Sequence, residues 1–268
     1  MTNSKRTAFF ISDGTGITAG SLGGLLAHFP ETEFEQIRVP FTDSASKVED
    51  AQKRIVNAKL ANGVRPIVIM SIGNQHLRAE LKAVDAYYID LFDSFLHPLG
   101  QELNAEPLTR PGVSHSMSVT NYGSRMEAIN FALGHDDGMT HTGLNQAQVI
   151  LVGVSRSGKT PTSIMLAMQF GIKAANYPLI PEDFERGNLP PILDGYIDKI
   201  FGLTIKPERL HSLRNERRPN SKYASLSNCR EEIGLAEALM SKVGVPMADS
   251  TSKSVEELSA IIIQSIKK

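Results

Sequence analysis

The sequence predicts an α/β fold made of two α/β units with parallel sheets. Three observations predict it. Short apolar runs alternate with amphipathic stretches along the chain, the rhythm of strands joined by crossover helices. Twice a strand runs directly into a glycine turn and a helix, once after Ile11 and once after Val152. A polar stretch over residues 109–121, with a proline and many hydroxyl groups, separates the two halves. The expected domains are therefore 1–108 and 122–268, with 109–121 as linker.

Thr7–Ile11 reads as the first strand. It enters Ser12-Asp13-Gly14-Thr15-Gly16, and a helix is expected over Ile17–Phe29. Asp13 and Thr15 could cap that helix or touch a bound group. Phe34–Phe41 is the next strand, and Ser46–Leu60 an amphipathic helix with Val48, Ala51, Ile55, Val56 and Leu60 inward. Arg65–Met70 is a buried strand, Asn74–Val84 a helix, and Ala86–Asp93 a strand followed by a helix through Leu103. The linker carries Gly112-Val-Ser-His115-Ser116, and Tyr122–Leu133 is a helix that runs into His135-Asp136-Asp137-Gly138.

In the second half Val149–Val152 is a buried strand. Behind the following loop, Ile164, Leu166, Ala167, Met168 and Phe170 make a helical apolar stripe. Lys173–Tyr177 is a short strand, Glu182–Leu189 a short helix and Asp198–Ile205 a strand. Pro207–Arg217 is a helix with proline in its first turn, where no intrahelical bond is lost. Ser225–Val243 is a long helix, Val245–Asp249 a strand and Val255–Lys267 the last helix. Ser252 or Ser254 with Glu256 or Glu257 supplies its cap.

The connection after Val152 is Gly153-Val154-Ser155-Arg156-Ser157-Gly158-Lys159-Thr160, a complete G-x-x-x-x-G-K-T pattern. The bare pattern arises by chance in on the order of one chain in a hundred of this length. The strand before it and the helix after it are the context the pattern needs. Its glycines let backbone N–H groups turn inward around phosphate, and the helix start adds its positive end. Lys159 would reach the outer phosphate oxygens, and Thr160 would offer a hydroxyl to magnesium. The C-terminal unit is thus expected to be P-loop kinase-like.

Phosphoryl transfer also needs an acid beside the metal. No aspartate follows the loop in the usual place. Asp198 precedes its strand, and Asp249 ends one near the C-terminus. His135, Asp136 and Asp137 are denser in ionisable groups than a turn requires. They could shuttle a proton, orient a hydroxyl or hold a metal, against the plainer reading of a solvated Asp-Gly turn. Arg209, Arg214, Arg217, Arg218 and Lys222 could clamp phosphates, against the plainer reading of a solvated helix face. Cys229 lies among apolar helix positions and reads as packing. His76, His97, His115 and His211 have no ligand spacing, which argues against zinc.

Composition bounds the function classes. The 268 residues carry a net charge of −1, so no overall field recruits nucleic acid or an acidic membrane. One cysteine excludes an internal disulfide and suits a reducing compartment. Ala8–Ile11 is too short for a secretory signal and no stretch reaches membrane-spanning length, so a cytoplasmic protein is expected.

Beyond the loop, the run Ile150–Ser163 continues through Gly171-Ile-Lys-Ala-Ala-Asn-Tyr-Pro-Leu-Ile-Pro-Glu-Asp183. Ser12–Ala19, Arg125–Phe131 with His135–Gly138, Phe201–Ile205 with Pro207–Leu210, and Asn220–Ser225 add to it. These stretches resemble the bacterial phosphoenolpyruvate synthase regulatory protein family, which is related to the pyruvate, phosphate dikinase regulatory proteins. The resemblance covers nearly the whole chain. It implies a bifunctional enzyme acting on phosphoenolpyruvate synthase. One arm phosphorylates a threonine beside the target's catalytic histidine, using ADP as donor, and inactivates the target. The other removes that phosphate with inorganic phosphate as acceptor and releases pyrophosphate. The resemblance carries ADP onto Gly153–Thr160. Two positions depart from the family pattern: Ser157 stands where relatives carry cysteine or threonine, and Gly20 where an acid is expected.

Two other readings have discriminating tests. A P-loop kinase of a small metabolite would transfer phosphate with no protein present. A non-catalytic nucleotide sensor would still regulate its target after Lys159→Ala. The sequence leaves the assembly open, a homo-oligomer included.

Overall fold

The computed structural model describes residues 5–108 and 119–266. Contacts divide it into two units, Met1–Met117 and Ser118–Lys268. The expected Gly112–Ser116 loop and most of the expected linker lie outside the described residues, and its last three residues, 119–121, already belong to the helix expected from Tyr122.

The first unit is a four-stranded parallel sheet of β1 (Arg6–Ser12), β2 (Phe34–Val39), β3 (Ile67–Ser71) and β4 (Tyr87–Asp90), in the order β2-β1-β3-β4. Alternation along β1 sends Phe9 and Ile11 to one face and Ala8 and Phe10 to the other. Phe9 and Ile11 meet Val48, Ala51 and Ile55 of α2 (Ala45–Asn62). Val56 and Leu60 of that helix, expected inward, are exposed. The buried face follows the narrower 48, 51, 55 spacing, and these two lie on its flank.

The first helix departs from expectation. α1 covers only Ile17–Ser21, and Leu22–His28 tightens to a 3₁₀ turn. Gly23 and Gly24 weaken the α-helix there. A Cβ at Gly23 would sit 2.8 Å from the Gln36 side chain and 3.1 Å from the Phe10 ring, so the backbone packs closely there. Neither Asp13 nor Thr15 caps α1, whose N-cap is Gly16. Asp13 instead accepts the Gly73 N–H at 2.7 Å and ties the β1 and β3 exits together, and its burial raises its pKa. The strand expected over Ala86–Asp93 stops at Asp90, whose carboxylate accepts the Phe92 N–H at 3.0 Å and starts a π-helical turn, Phe92–Leu96. α3 (Gln75–Leu81), capped by the Asn74 side chain, and α4 (His97–Leu103) complete this unit.

The second unit repeats the strand order. β5 (Val149–Gly153), β6 (Ala174–Pro178), β7 (Ile200–Thr204) and β8 (Met247–Asp249) form a parallel sheet in the order β6-β5-β7-β8. All of β5 is buried. Ile150 and Val152 face Leu210, Ile233 and Met240 from α8 (Pro207–Arg217) and α9 (Leu226–Val243). Val149 and Leu151 face Leu166, Leu258 and Ile262 from α6 (Lys159–Phe170) and α10 (Val255–Ile266). Met168 and Phe170 of the expected stripe are exposed, while Thr162 and Ser163 are buried beside Leu166 and Ala167. Cys229 is fully buried, as packing requires, and burial raises its thiol pKa. α7 (Pro181–Arg186) caps the β6 exit. Ser254 and Glu257 cap α10 reciprocally, at 2.8 and 3.2 Å.

α5 (Val119–Gly134) decides where the acidic turn goes. Ala128 and Ala132 pack on Ala167 of α6, and these small side chains let the two helices approach closely. α5 therefore ends beside the start of α6. Among the described residues no helix is long and apolar enough to cross a membrane.

Candidate active site

In each sheet the chain leaves its first strand, turns to one neighbour, and later crosses to the other side. In the second unit that reversal lies at the carboxyl end of β5, where open α/β sheets bind ligands. Gly153–Thr160 fills this position. Three of its residues take backbone angles that favour glycine: Gly153 at φ 151°, Arg156 at φ 75° and Gly158 at φ 94°. A Cβ at Gly153 would collide with the Leu203 carbonyl and come 2.9 Å from Ser157 Oγ. Gly153→Ala is therefore expected to cost about 3 kcal/mol or more of stability, read as a lower urea midpoint at unchanged slope.

Lys159 opens α6 and is 4% exposed. Its ammonium donates to the Val154 carbonyl at 3.0 Å, across the loop. Burial pushes its pKa down to about 8, Asp137 and Asp136 pull it up, and Arg214 pushes it down. Thr160 donates its hydroxyl to Asp136 Oδ1 at 2.8 Å. The loop and the acidic turn thus meet, although 24 residues separate the two partners.

Asn176, in the middle of β6, builds that turn. Its N–H donates to the His135 carbonyl at 3.0 Å, its side-chain amide donates to Asp136 Oδ1, and its Oδ1 accepts the Asp137 N–H at 2.9 Å. Residues 136–138 form a 3₁₀ turn with Asp137 at φ 48°. Gly138 sits on the Tyr177 ring, where a Cβ would come within 2.9 Å. Asp136 is half-buried and doubly hydrogen-bonded, whereas the Asp137 carboxylate is exposed. His135 is buried and stacked on Phe131 at 3.9 Å between centroids. Its Nδ1 lies 2.9 Å from the Phe131 carbonyl and its Nε2 3.0 Å from the Thr142 carbonyl, so both ring nitrogens are engaged within the turn.

The expected residues Lys159, Thr160, Asp136 and Asp137 come together, and His135 stands behind them. Asn176 was missed. Its signal was a polar residue in an otherwise apolar strand, and at 1% exposure such a group needs partners. The arginine run divides. Arg217 and Arg218 are solvent-exposed, but Arg214 is fully buried. Its guanidinium donates to the Ser155 carbonyl at 3.2 Å, to Glu232 at 2.6 Å and to the Tyr223 carbonyl at 3.1 Å. It stacks on the Tyr223 ring at 4.1 Å, and the Tyr223 hydroxyl reaches Ser155 Oγ at 3.0 Å. Arg214→Met should strand Glu232 and free Ser155, at a cost of about 3 kcal/mol measured by chemical denaturation.

Among the described residues no group of three or more His, Cys, Asp or Glu side chains is placed to hold a metal ion. Magnesium keeps waters and shares one or two protein oxygens with substrate phosphates. The adjacent Thr160 hydroxyl and Asp136 carboxylate are hard oxygen donors of that kind.

The profile of the kinase/pyrophosphorylase family matches residues 8–263. A protein of Methylobacillus flagellatus with the provisional name phosphoenolpyruvate synthase regulatory protein is 60% identical, covering 98% of this chain and 97% of the relative. Proteins of the same provisional name from Aromatoleum aromaticum and an Azoarcus species are each 54% identical, over 98% of this chain and 96% of the relative. On a profile match and identities that span both units, the chain belongs to the kinase/pyrophosphorylase family.

Proposed function

We propose that this chain is an ADP-dependent protein threonine kinase and a phosphate-dependent pyrophosphorylase, and that both arms act on phosphoenolpyruvate synthase at one site. The relatives' names support this target. The observation that carries the single site is the hydrogen bond from Thr160 to Asp136, which joins the glycine loop to the acidic turn.

In the forward arm the target threonine oxygen forms a bond to the β-phosphorus of ADP and the bond to the α-phosphate oxygen breaks. AMP leaves and the hydroxyl proton is released. In the reverse arm inorganic phosphate forms a bond to the phosphothreonine phosphorus, the threonine oxygen leaves with a proton, and pyrophosphate is the product. Both arms move one phosphoryl group between the same two kinds of oxygen, so positioning and charge neutralisation serve both.

The loop N–H groups of residues 153–160 hold the non-transferred phosphate, and Lys159 neutralises the transferred one. Thr160 and Asp136 would hold magnesium, which would supply further charge neutralisation. Asp137, whose carboxylate is exposed, orients the threonine hydroxyl and takes its proton. His135 and Asn176 keep the two aspartates in place.

The test is incubation of the purified chain with phosphoenolpyruvate synthase and ADP, followed by mapping of the modified residue. The expected result is a phosphothreonine formed with ADP, loss of target activity, and recovery with pyrophosphate release on adding phosphate. Modification with ATP alone, or none with either nucleotide, contradicts the reading.

A further inference from the structure

The phosphates of a nucleoside diphosphate held on the glycine loop leave its nucleoside to lie on one side or the other of β5. The β6 side is taken by the acidic turn. Turn 136–138 covers it, with Gly138 on the Tyr177 ring and Asp136 bound to Thr160. The β7 side is open. A groove of about 480 Å³ lies at the carboxyl ends of β7 and β8, between them and α9. Its size falls in the range of small-molecule sites.

The groove adjoins the loop. Leu203, one residue before Thr204, lies under Gly153, and a Cβ on Gly158 would be 3.9 Å from Ser250 Cβ, one residue after Asp249. Thr204 and Asp249, paired in register, both line the groove. Its floor is fixed before any ligand arrives. The Ser250 N–H and hydroxyl both donate to the Thr204 carbonyl, at 2.8 and 2.9 Å, and the Lys206 N–H donates to Thr251 Oγ1 at 2.8 Å.

The chemistry of the lining selects its occupant. Ile205 and Ile233 give a buried apolar wall. Glu237 and Asp249 each have one oxygen engaged, by the Thr204 hydroxyl at 2.6 Å and by Thr251 at 2.8 and 2.5 Å, and each has a second acceptor oxygen. Lys206 and Arg230 also line the groove and balance its charge, and the two carboxylates accept from hydroxyl or amino groups. Asp249 was the acid that the sequence placed at a strand end and left without a task.

We propose that this groove is the nucleoside subsite: Asp249 and Glu237 accept from the ribose hydroxyls or an exocyclic amine, and the base lies against Ile205 and Ile233. This rests on the reading that the loop holds ADP phosphates. It assigns the two flanks of the loop different work, the nucleoside on the β7–β8 side and the acceptor threonine on the β6 side.

The reverse arm uses no nucleoside, which gives a sharp test. Gly234 lines the groove on α9, and a Cβ there meets nothing within 4 Å. Gly234→Leu therefore starts a bulky side chain in open space at the groove and favours the helix. Asp249→Asn removes one acceptor charge. Calorimetry on the full chain measures the affinity of ADP and, separately, of inorganic pyrophosphate. For Gly234→Leu, ADP should weaken about tenfold or more while pyrophosphate stays within about twofold. Asp249→Asn should weaken ADP about tenfold, the worth of one charged hydrogen bond. Equal losses for the two ligands, or no loss of ADP in either variant, overturn the subsite. An unsubstituted chain that binds pyrophosphate and not ADP overturns the ADP reading and the subsite together.

Discussion

Lys159→Ala is expected to lower both the ADP-dependent and the phosphate-dependent rate by about a hundredfold to a thousandfold, as loss of one preorganised charge contact on the transferred group does. The ammonium lies across the loop on the Val154 carbonyl and feels the charges of Asp136 and Asp137 in the acidic turn. Without it, the phosphoryl oxygens face Asp136 and Asp137 with one cation fewer. The substitution should leave the fold almost untouched. A buried ammonium with a single carbonyl partner gains little from being there, because burial already disfavours its charge. Stability by urea denaturation should therefore change by no more than about 1 kcal/mol. A variant that unfolds, or that keeps one rate, would remove Lys159 from the shared role.

Asp136→Asn is the second large effect. Asparagine has the same shape, and its carbonyl oxygen still accepts from Thr160 and Asn176, so the turn should hold. What goes is the negative charge next to the Thr160 hydroxyl. Both rates should fall about a hundredfold, and the magnesium concentration for half-maximal rate should rise about tenfold. The magnesium titration separates this role from Asp137. Asp137→Asn should also slow both arms, by about a hundredfold if it takes the hydroxyl proton, with an unchanged magnesium requirement. A magnesium requirement unaltered in Asp136→Asn would contradict the assignment.

Much of the fold was legible because the strands of parallel sheets are continuous apolar runs. Val149–Val152 and Ile67–Met70 could be read directly. Breaks in helices were harder, because they depend on what packs against them. Gly23 tightens its helix on account of Phe10 and Gln36, which are distant in sequence. Val56, Leu60, Met168 and Phe170 looked inward by periodicity alone. Which part of an apolar stripe is covered depends on the width of the neighbouring element, and the helix's own sequence does not carry that information.

The loop was legible for a similar reason: its function is local, and the glycines, lysine and threonine sit at fixed spacing. The partner acid was visible only as an unexplained cluster. It reaches Thr160 because α5 packs on α6 through alanines and because Asn176 folds the turn by three hydrogen bonds. Arg214 looked like one member of a solvated run. Its burial under Ser155 is a tertiary fact, set by Tyr223 and Glu232 on segments that the run does not include.

The central claim is that one loop and one acidic turn serve both arms. The most direct test is the inhibition of pyrophosphate release by ADP. In a shared site the attacking phosphate occupies the place of the α-phosphate of ADP. Initial rates on phosphorylated phosphoenolpyruvate synthase, at varied phosphate and ADP, should then show competition: the apparent KM for phosphate rises with ADP and the maximal rate stays constant. A falling maximal rate at unchanged KM, or no inhibition, would place the two reactions at separate sites and contradict the account.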